Sequence, residues 1–88
     1  MPANSSADQT SITVFWRPGC PFCNSLFRQL EQHDIAHQRV NIWDDPTAAA
    51  TVRSIANGNE TVPTVLVGTV GLVNPSVQQI NAALTAGV

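Results

Sequence analysis

"WRPGCPFCNSLFRQL", residues 16–30, changes its hydrophobic period partway along, and that change decides how the chain folds. Just upstream, "SITVFW" (residues 11–16) alternates and is rich in β-branched and aromatic side chains, the pattern of a strand. "RPG" breaks it. From Pro21 onward Cys23, Leu26, Phe27 and Leu30 share one helical face, while Asn24, Arg28, Gln29, Glu31 and Gln32 point away. Pro21 suits the first helical position, where its missing N–H is no loss. The helix is expected to stop near His33-Asp34. The same stretch holds both cysteines of the chain, Cys20 and Cys23.

Working outward, "AHQRVNIW" (36–43) reads as a second strand. Asp45 is a good N-cap and Pro46 a good first residue for a helix over 46–56, with Ala48, Ala49, Val52 and Ile55 or Ala56 inward. Asn57-Gly58 supplies a left-handed stop. "TVPTVLVG" (61–68) is a strand with proline at its entrance, a position a ladder tolerates, and "VGLV" (70–73) is its hairpin mate. "NPSVQQINAAL" opens a last helix, capped by Asn74 or Ser76, that buries Val77, Ile80 and Leu84. The order β-α-β-α-β-β-α requires a right-handed parallel crossover first and an antiparallel pair last. The expected architecture is α/β: a small mixed four-stranded sheet with helices on both faces. Trp16 and Trp43 follow strand ends and are expected to pack at the core or its rim.

Composition bounds the function. The 88 residues are 43% hydrophobic and 11% charged, enough apolar content for one small domain, taken as residues 12–88. Residues 1–11, "MPANSSADQTS", have neither basic region nor apolar core and read as a flexible polar leader rather than a signal peptide. No apolar run approaches the ~20 residues of a membrane span. A cytoplasmic location and a monomer are expected. In that compartment a C-x-x-C pair is more often catalytic or metal-binding than structural. Net charge is −2, and the only basic residues, Arg17, Arg28, Arg39 and Arg53, are scattered singly, which argues against nucleic-acid binding.

Three readings of CPFC compete. With His33 and His37 it spells C-x2-C-x9-H-x3-H, close to a zinc-finger spacing. Yet a helix from Cys23 to His33 separates them by roughly 15 Å at ~1.5 Å rise per residue, and zinc ligands must converge on one ion. No metal site is expected. Two inert buried cysteines are the second reading. The third is redox. Cys20 sits just before the helix, where free N–H groups and the positive macrodipole end favour a thiolate. Arg17 adds positive charge nearby, and Pro21 stiffens the turn and keeps the first sulfur at the surface. Cys23 lies one turn in, on the apolar face, and should be shielded. Phe22 turns away from that face to flank the mouth. One exposed nucleophile and one shielded thiol is the asymmetry thiol–disulfide exchange requires.

"CPFC" after a first strand, "TVP" about forty residues later and a capped last helix resemble the glutaredoxins of the thioredoxin fold. "WRPGCPFC", "ANGNETVPTV" and "LVNPS" look most like the mycoredoxin branch, which serves mycothiol in place of glutathione. The resemblance implies that Cys20 is the attacking nucleophile and Cys23 the resolving thiol, the two able to form a redox disulfide. It implies a cis Pro63 facing them, with the Val62 backbone pairing with the cysteine moiety of the bound thiol. Asn74, Pro75 and Ser76 would border the groove, with capping the expected role of Asn74 and Ser76. Arg17, Pro21 and Phe22 complete the expected thiol-binding set.

No tightly bound cofactor is implied. Mycothiol or glutathione would be co-substrate, and S-thiolated or disulfide-containing proteins and a disulfide reductase would be partners. Two departures favour mycothiol. The Gly-Gly plus acidic pair common in glutathione-dependent members is replaced by "VGLVNPS". Glutathione also brings two carboxylates that proteins usually meet with lysine or arginine, and this chain has no lysine. Arg17 and Arg53 could still serve glutathione. A redoxin fed by thioredoxin reductase, an iron–sulfur or zinc binding module, and a non-catalytic binding module stand as alternatives.

Overall fold

The computed structural model describes residues 11–86, so most of the polar leader lies outside the described residues. In chain order the elements are β1 (Ile12–Trp16), α1 (Pro21–Gln32), β2 (Gln38–Asn41), α2 (Pro46–Ile55), β3 (Thr64–Val67), β4 (Val70–Val73) and α3 (Val77–Ala86). The sheet order is β2-β1-β3-β4. β1 and β2 are parallel, with Thr13 opposite Gln38 and Trp16 opposite Asn41. β3 runs antiparallel to both of its neighbours, with Phe15 opposite Thr64 and Thr64 opposite Val73. This is the mixed four-stranded α/β sheet expected from the period changes.

Alternation along the strands builds two cores, one on each face. Ile12, Val14, Val65 and Val67 meet Cys23, Leu26 and Leu30 of α1 and Val77 and Ile80 of α3. On the other face Phe15 and Ile42 meet Ala48, Ala49 and Val52 of α2. Fully burying a Leu, Ile or Val side chain contributes about 1.5–3 kcal/mol, so Leu30, Ile80, Val14, Val52 and Val65 are the main packing anchors.

The helix ends follow the capping signals. Asp45 Oδ1 accepts from the N–H groups of Thr47 and Ala48 at 3.0 and 3.3 Å. α1 stops in a Schellman-type turn: Asp34 takes φ 54°, its N–H reaches Glu31 O, and the Ile35 N–H reaches Leu30 O at 2.9 Å. Asn57, at φ 58°, ends α2 in the same manner, with the Gly58 N–H bonded to Arg53 O at 2.7 Å.

Five expectations need correction. β2 is shorter than 36–43, because Trp43 already turns away, its N–H bonded to Asn41 Oδ1 at 3.0 Å. Trp43 is consequently 65% exposed rather than packed. β3 begins at Thr64 and not Thr61, since Pro63 has no N–H for the ladder and the Thr61 carbonyl is occupied by Thr64 Oγ1 at 2.6 Å. At the entry to α3, Ser76 does the capping and Asn74 does not. Ser76 Oγ accepts from the Gln79 N–H at 3.1 Å while Gln79 Oε1 accepts from the Ser76 N–H at 2.8 Å, a capping box. Leu84 is only half-buried.

Candidate active site

Cys20 occupies the N-cap of α1 with extended backbone, φ −107° and ψ 103°. Gly19 before it adopts φ 78°, the left-handed region, in open space. A glycine is needed there for backbone conformation and not for room. Pro21 holds the first helical position. The result aims the Cys20 sulfur back at the helix: Sγ accepts from the Cys23 N–H at 3.2 Å. An N-cap position normally filled by an oxygen is filled by sulfur, so one free helix donor is spent on the group that would carry negative charge.

Cys20 is only 7% exposed, where the sequence suggested a surface sulfur. The reason is a segment far away in the chain. Val62 approaches from the entrance to β3, and its carbonyl oxygen lies 3.8 Å from Cys20 Sγ. The thiol opens instead into a cleft of about 590 Å³. Cys23 is completely buried in the α1 core, as its helical face predicted. Burial, reinforced by its hydrogen bond with Cys20, pushes the Cys23 thiol up to about 12, with the Arg17 backbone acting in the opposite direction. At neutral pH Cys23 is therefore a thiol. Neither cysteine is bridged.

The Val62–Pro63 peptide bond is cis. Pro63 is buried, and its carbonyl accepts from the Asn74 N–H at 2.8 Å, tying the segment to the entry of α3. Asn74 makes that bond from φ 49°, a left-handed conformation asparagine tolerates.

The cleft gathers much of the expected set. Arg17, Cys20, Pro21 and Phe22 line one side and Val62 the other. Phe22 is 66% exposed and flanks the mouth. Asn74 and Ser76 are not in this cleft. With Pro75 and Ser25 they border a separate depression of about 140 Å³ on the far side of Phe22. Sequence reasoning passed over Asn59, Glu60 and Thr61, which line the cleft beside Val62. Their signal was position, directly before Val62, whose carbonyl faces the Cys20 sulfur. Glu60 is ion-paired with Arg53 of α2 at 2.7 Å.

The histidines take no part. His33 caps the end of α1, and His37 stacks on Phe27 at 6.1 Å and accepts from Arg39 Nε at 3.1 Å. Among the described residues, no group of three or more His, Cys, Asp or Glu side chains gathers to hold a metal ion.

This geometry can be set beside known proteins. The glutaredoxin family model matches residues 12–71, which takes in both cysteines and the cis-proline segment. The chain belongs to the glutaredoxin family. Its members are thiol–disulfide oxidoreductases that work with low-molecular-weight thiols and disulfide-bearing proteins. A glutaredoxin-named protein of Mycobacterium tuberculosis is 35% identical over 75 residues, 84% of this chain and 89% of that protein. Mycoredoxin 1 of Corynebacterium glutamicum is 30% identical over 56 residues, 64% of this chain and 68% of that one. A hybrid peroxiredoxin of Haemophilus influenzae is 35% identical over 60 residues, 68% of this chain, but the match spans only 24% of that protein's length. Among solved structures, the glutaredoxin-like NrdH-redoxin from Escherichia coli aligns with TM-score 0.70 and 26% identity, covering 82% of this glutaredoxin and 92% of that chain. No helix of the described residues is long and apolar enough to cross a membrane.

Proposed function

We propose that this glutaredoxin removes a low-molecular-weight thiol, mycothiol in preference to glutathione, from S-thiolated proteins, with Cys20 as nucleophile. The observation that carries the reading is the position of Cys20 Sγ. It holds a hydrogen bond from the Cys23 N–H, opens into a cleft, and faces Val62 beside the cis-proline. In the first step the Cys20 thiolate attacks the small-thiol sulfur of the mixed disulfide. A Cys20–S bond forms, the old S–S bond breaks, and the protein sulfur leaves as a thiolate that takes up a proton. A second small-thiol thiolate then attacks the adduct and releases the small-molecule disulfide and Cys20. One free small thiol is oxidised for each protein thiol released, and it leaves joined to the one removed from the protein.

Cys23 supplies its backbone N–H to the nucleophile throughout, and its own buried thiol is held in reserve. With a protein disulfide as substrate, Cys23 resolves the adduct into a Cys20–Cys23 disulfide. Arg17, Pro21, Phe22 and Val62 form the thiol-binding surface, with the buried Pro63 next to Val62 in the chain. Asn74 and Ser76 border the separate depression beyond Phe22 and take no part in thiol binding. The protein acts as a cytoplasmic monomer without a bound cofactor, on S-thiolated or disulfide-containing proteins. The test presents one peptide as its mycothiol and its glutathione mixed disulfide, side by side. Higher kcat/KM for the mycothiol form supports the assignment, and a glutathione preference contradicts it. The similarity to NrdH-redoxin, whose described activity profile is thioredoxin-like, supports a second reading in which a disulfide reductase is the electron source. An arm with thioredoxin reductase in place of the small thiol tests it.

A further inference from the structure

We infer that Glu60 is a charge selector for the thiol cleft, disfavouring thiols that carry carboxylates and favouring those with an uncharged, hydroxyl-bearing body; this rests on the exchange reading above. Among the described residues two charged side chains line the cleft, Arg17 on the cysteine side and Glu60 on the opposite wall. A cleft built for a dicarboxylate thiol would be expected to place cations on both walls. Here the second cation within reach, Arg53, is held on the Glu60 carboxylate at 2.7 Å and so is not offered to a ligand alone.

The Glu60 carboxylate, ion-paired with Arg53, offers hydrogen-bond acceptors only. It repels a carboxylate but accepts hydrogen bonds from hydroxyls, and the neighbouring Asn59 and Thr61 can donate and accept around the same body. The Arg53–Glu60 pair is half-exposed, so it leaves the local charge near balance and adds little to stability. The two residues should then act on selectivity with opposite signs. Removing the Glu60 charge unmasks Arg53 and admits carboxylates. Removing the Arg53 charge leaves Glu60 uncompensated and excludes them more strongly.

The test uses the full chain and three mixed disulfides of one peptide: with glutathione, with glutathione diethyl ester, and with mycothiol. The first two differ only in their carboxylates. The readout is the ratio of kcat/KM for the diester to that for glutathione. Glu60→Gln is expected to lower this ratio about fivefold at low ionic strength, consistent with one charge removed near a solvated ligand, and Arg53→Gln to raise it. Both shifts should shrink in high salt. A ratio unchanged by Glu60→Gln, or moved in the same direction by both variants, overturns the inference while leaving the exchange reading standing. A wild-type protein that turns over none of the three substrates overturns that reading and the inference with it.

Discussion

The backbone N–H of Cys23 donates to the sulfur of Cys20 at 3.2 Å, so the two cysteines are linked in the reduced protein by a bond that needs no Cys23 side chain. That separates two roles usually credited to the second cysteine of such a motif. One is to support the nucleophile through the helix backbone. The other is to resolve an adduct through its thiol.

Cys23→Ser is expected to retain removal of a small thiol from S-thiolated protein, because the N–H and the helix start are preserved. The same variant should lose the Cys20–Cys23 disulfide route for protein disulfides. Cys20→Ser is expected to abolish both. Paired assays on the two substrate types, with the two variants, check this.

The pH dependence of folding gives a separate check. The Cys23 thiol rises from 9.0 to about 12 on folding, chiefly through burial. A raised value means that the folded state binds this proton more tightly than the unfolded state does. Its contribution is fully present below pH 9 and is lost as pH climbs toward about 12. Denaturant unfolding across pH 8 to about 11 should show stability falling with pH, and Cys23→Ala should flatten that part of the curve. In the same pH range iodoacetamide should modify Cys23 only after unfolding.

Gly71 on β4 is a packing position. A Cβ there would lie 2.7 Å from Cγ2 and 2.9 Å from Cγ1 of Ile55 on α2. Ile55 is β-branched and has little rotamer freedom in a helix. Gly71→Ala is expected to cost about 1–3 kcal/mol, seen as a lower Tm. Gly71→Ala combined with Ile55→Ala should destabilise less than the sum of the single changes.

Ser76→Ala removes the oxygen that accepts from the Gln79 N–H. The expected loss is about 1 kcal/mol, a Tm decrease of roughly 4–8 °C for a domain of this size. The active-site cleft does not include Ser76, so turnover by the folded protein should change far less than stability.

Much of this was legible in local pattern. The alternation of Ile12–Trp16, the helical spacing of Cys23, Leu26, Phe27 and Leu30, and the caps at Asp45 and Asn57 place the elements without tertiary information. The resemblance carried by CPFC and TVP placed Cys20, Cys23, Val62 and Pro63 together. What local pattern could not supply was set by segments distant in sequence. Cys20 loses its exposure because Val62, from the far end of the sheet crossover, comes to 3.8 Å of its sulfur. Asn74 reads as a cap by residue type, yet its N–H is drawn to the Pro63 carbonyl and the cap passes to Ser76. Asn59, Glu60 and Thr61 carry no motif of their own, and only the approach of the two loops makes them walls of the cleft.

The central claim is that Cys20 accepts the small thiol from the substrate. The most direct measurement is mass spectrometry of Cys23→Ser protein, acid-quenched during turnover of a peptide–mycothiol mixed disulfide and digested. The account predicts one mycothiol on the peptide containing Cys20, and, when free small thiol is omitted so that only a single turnover occurs, free substrate peptide in equal amount. Cys20 bonded instead to the substrate peptide, or unmodified while substrate is consumed, would contradict it.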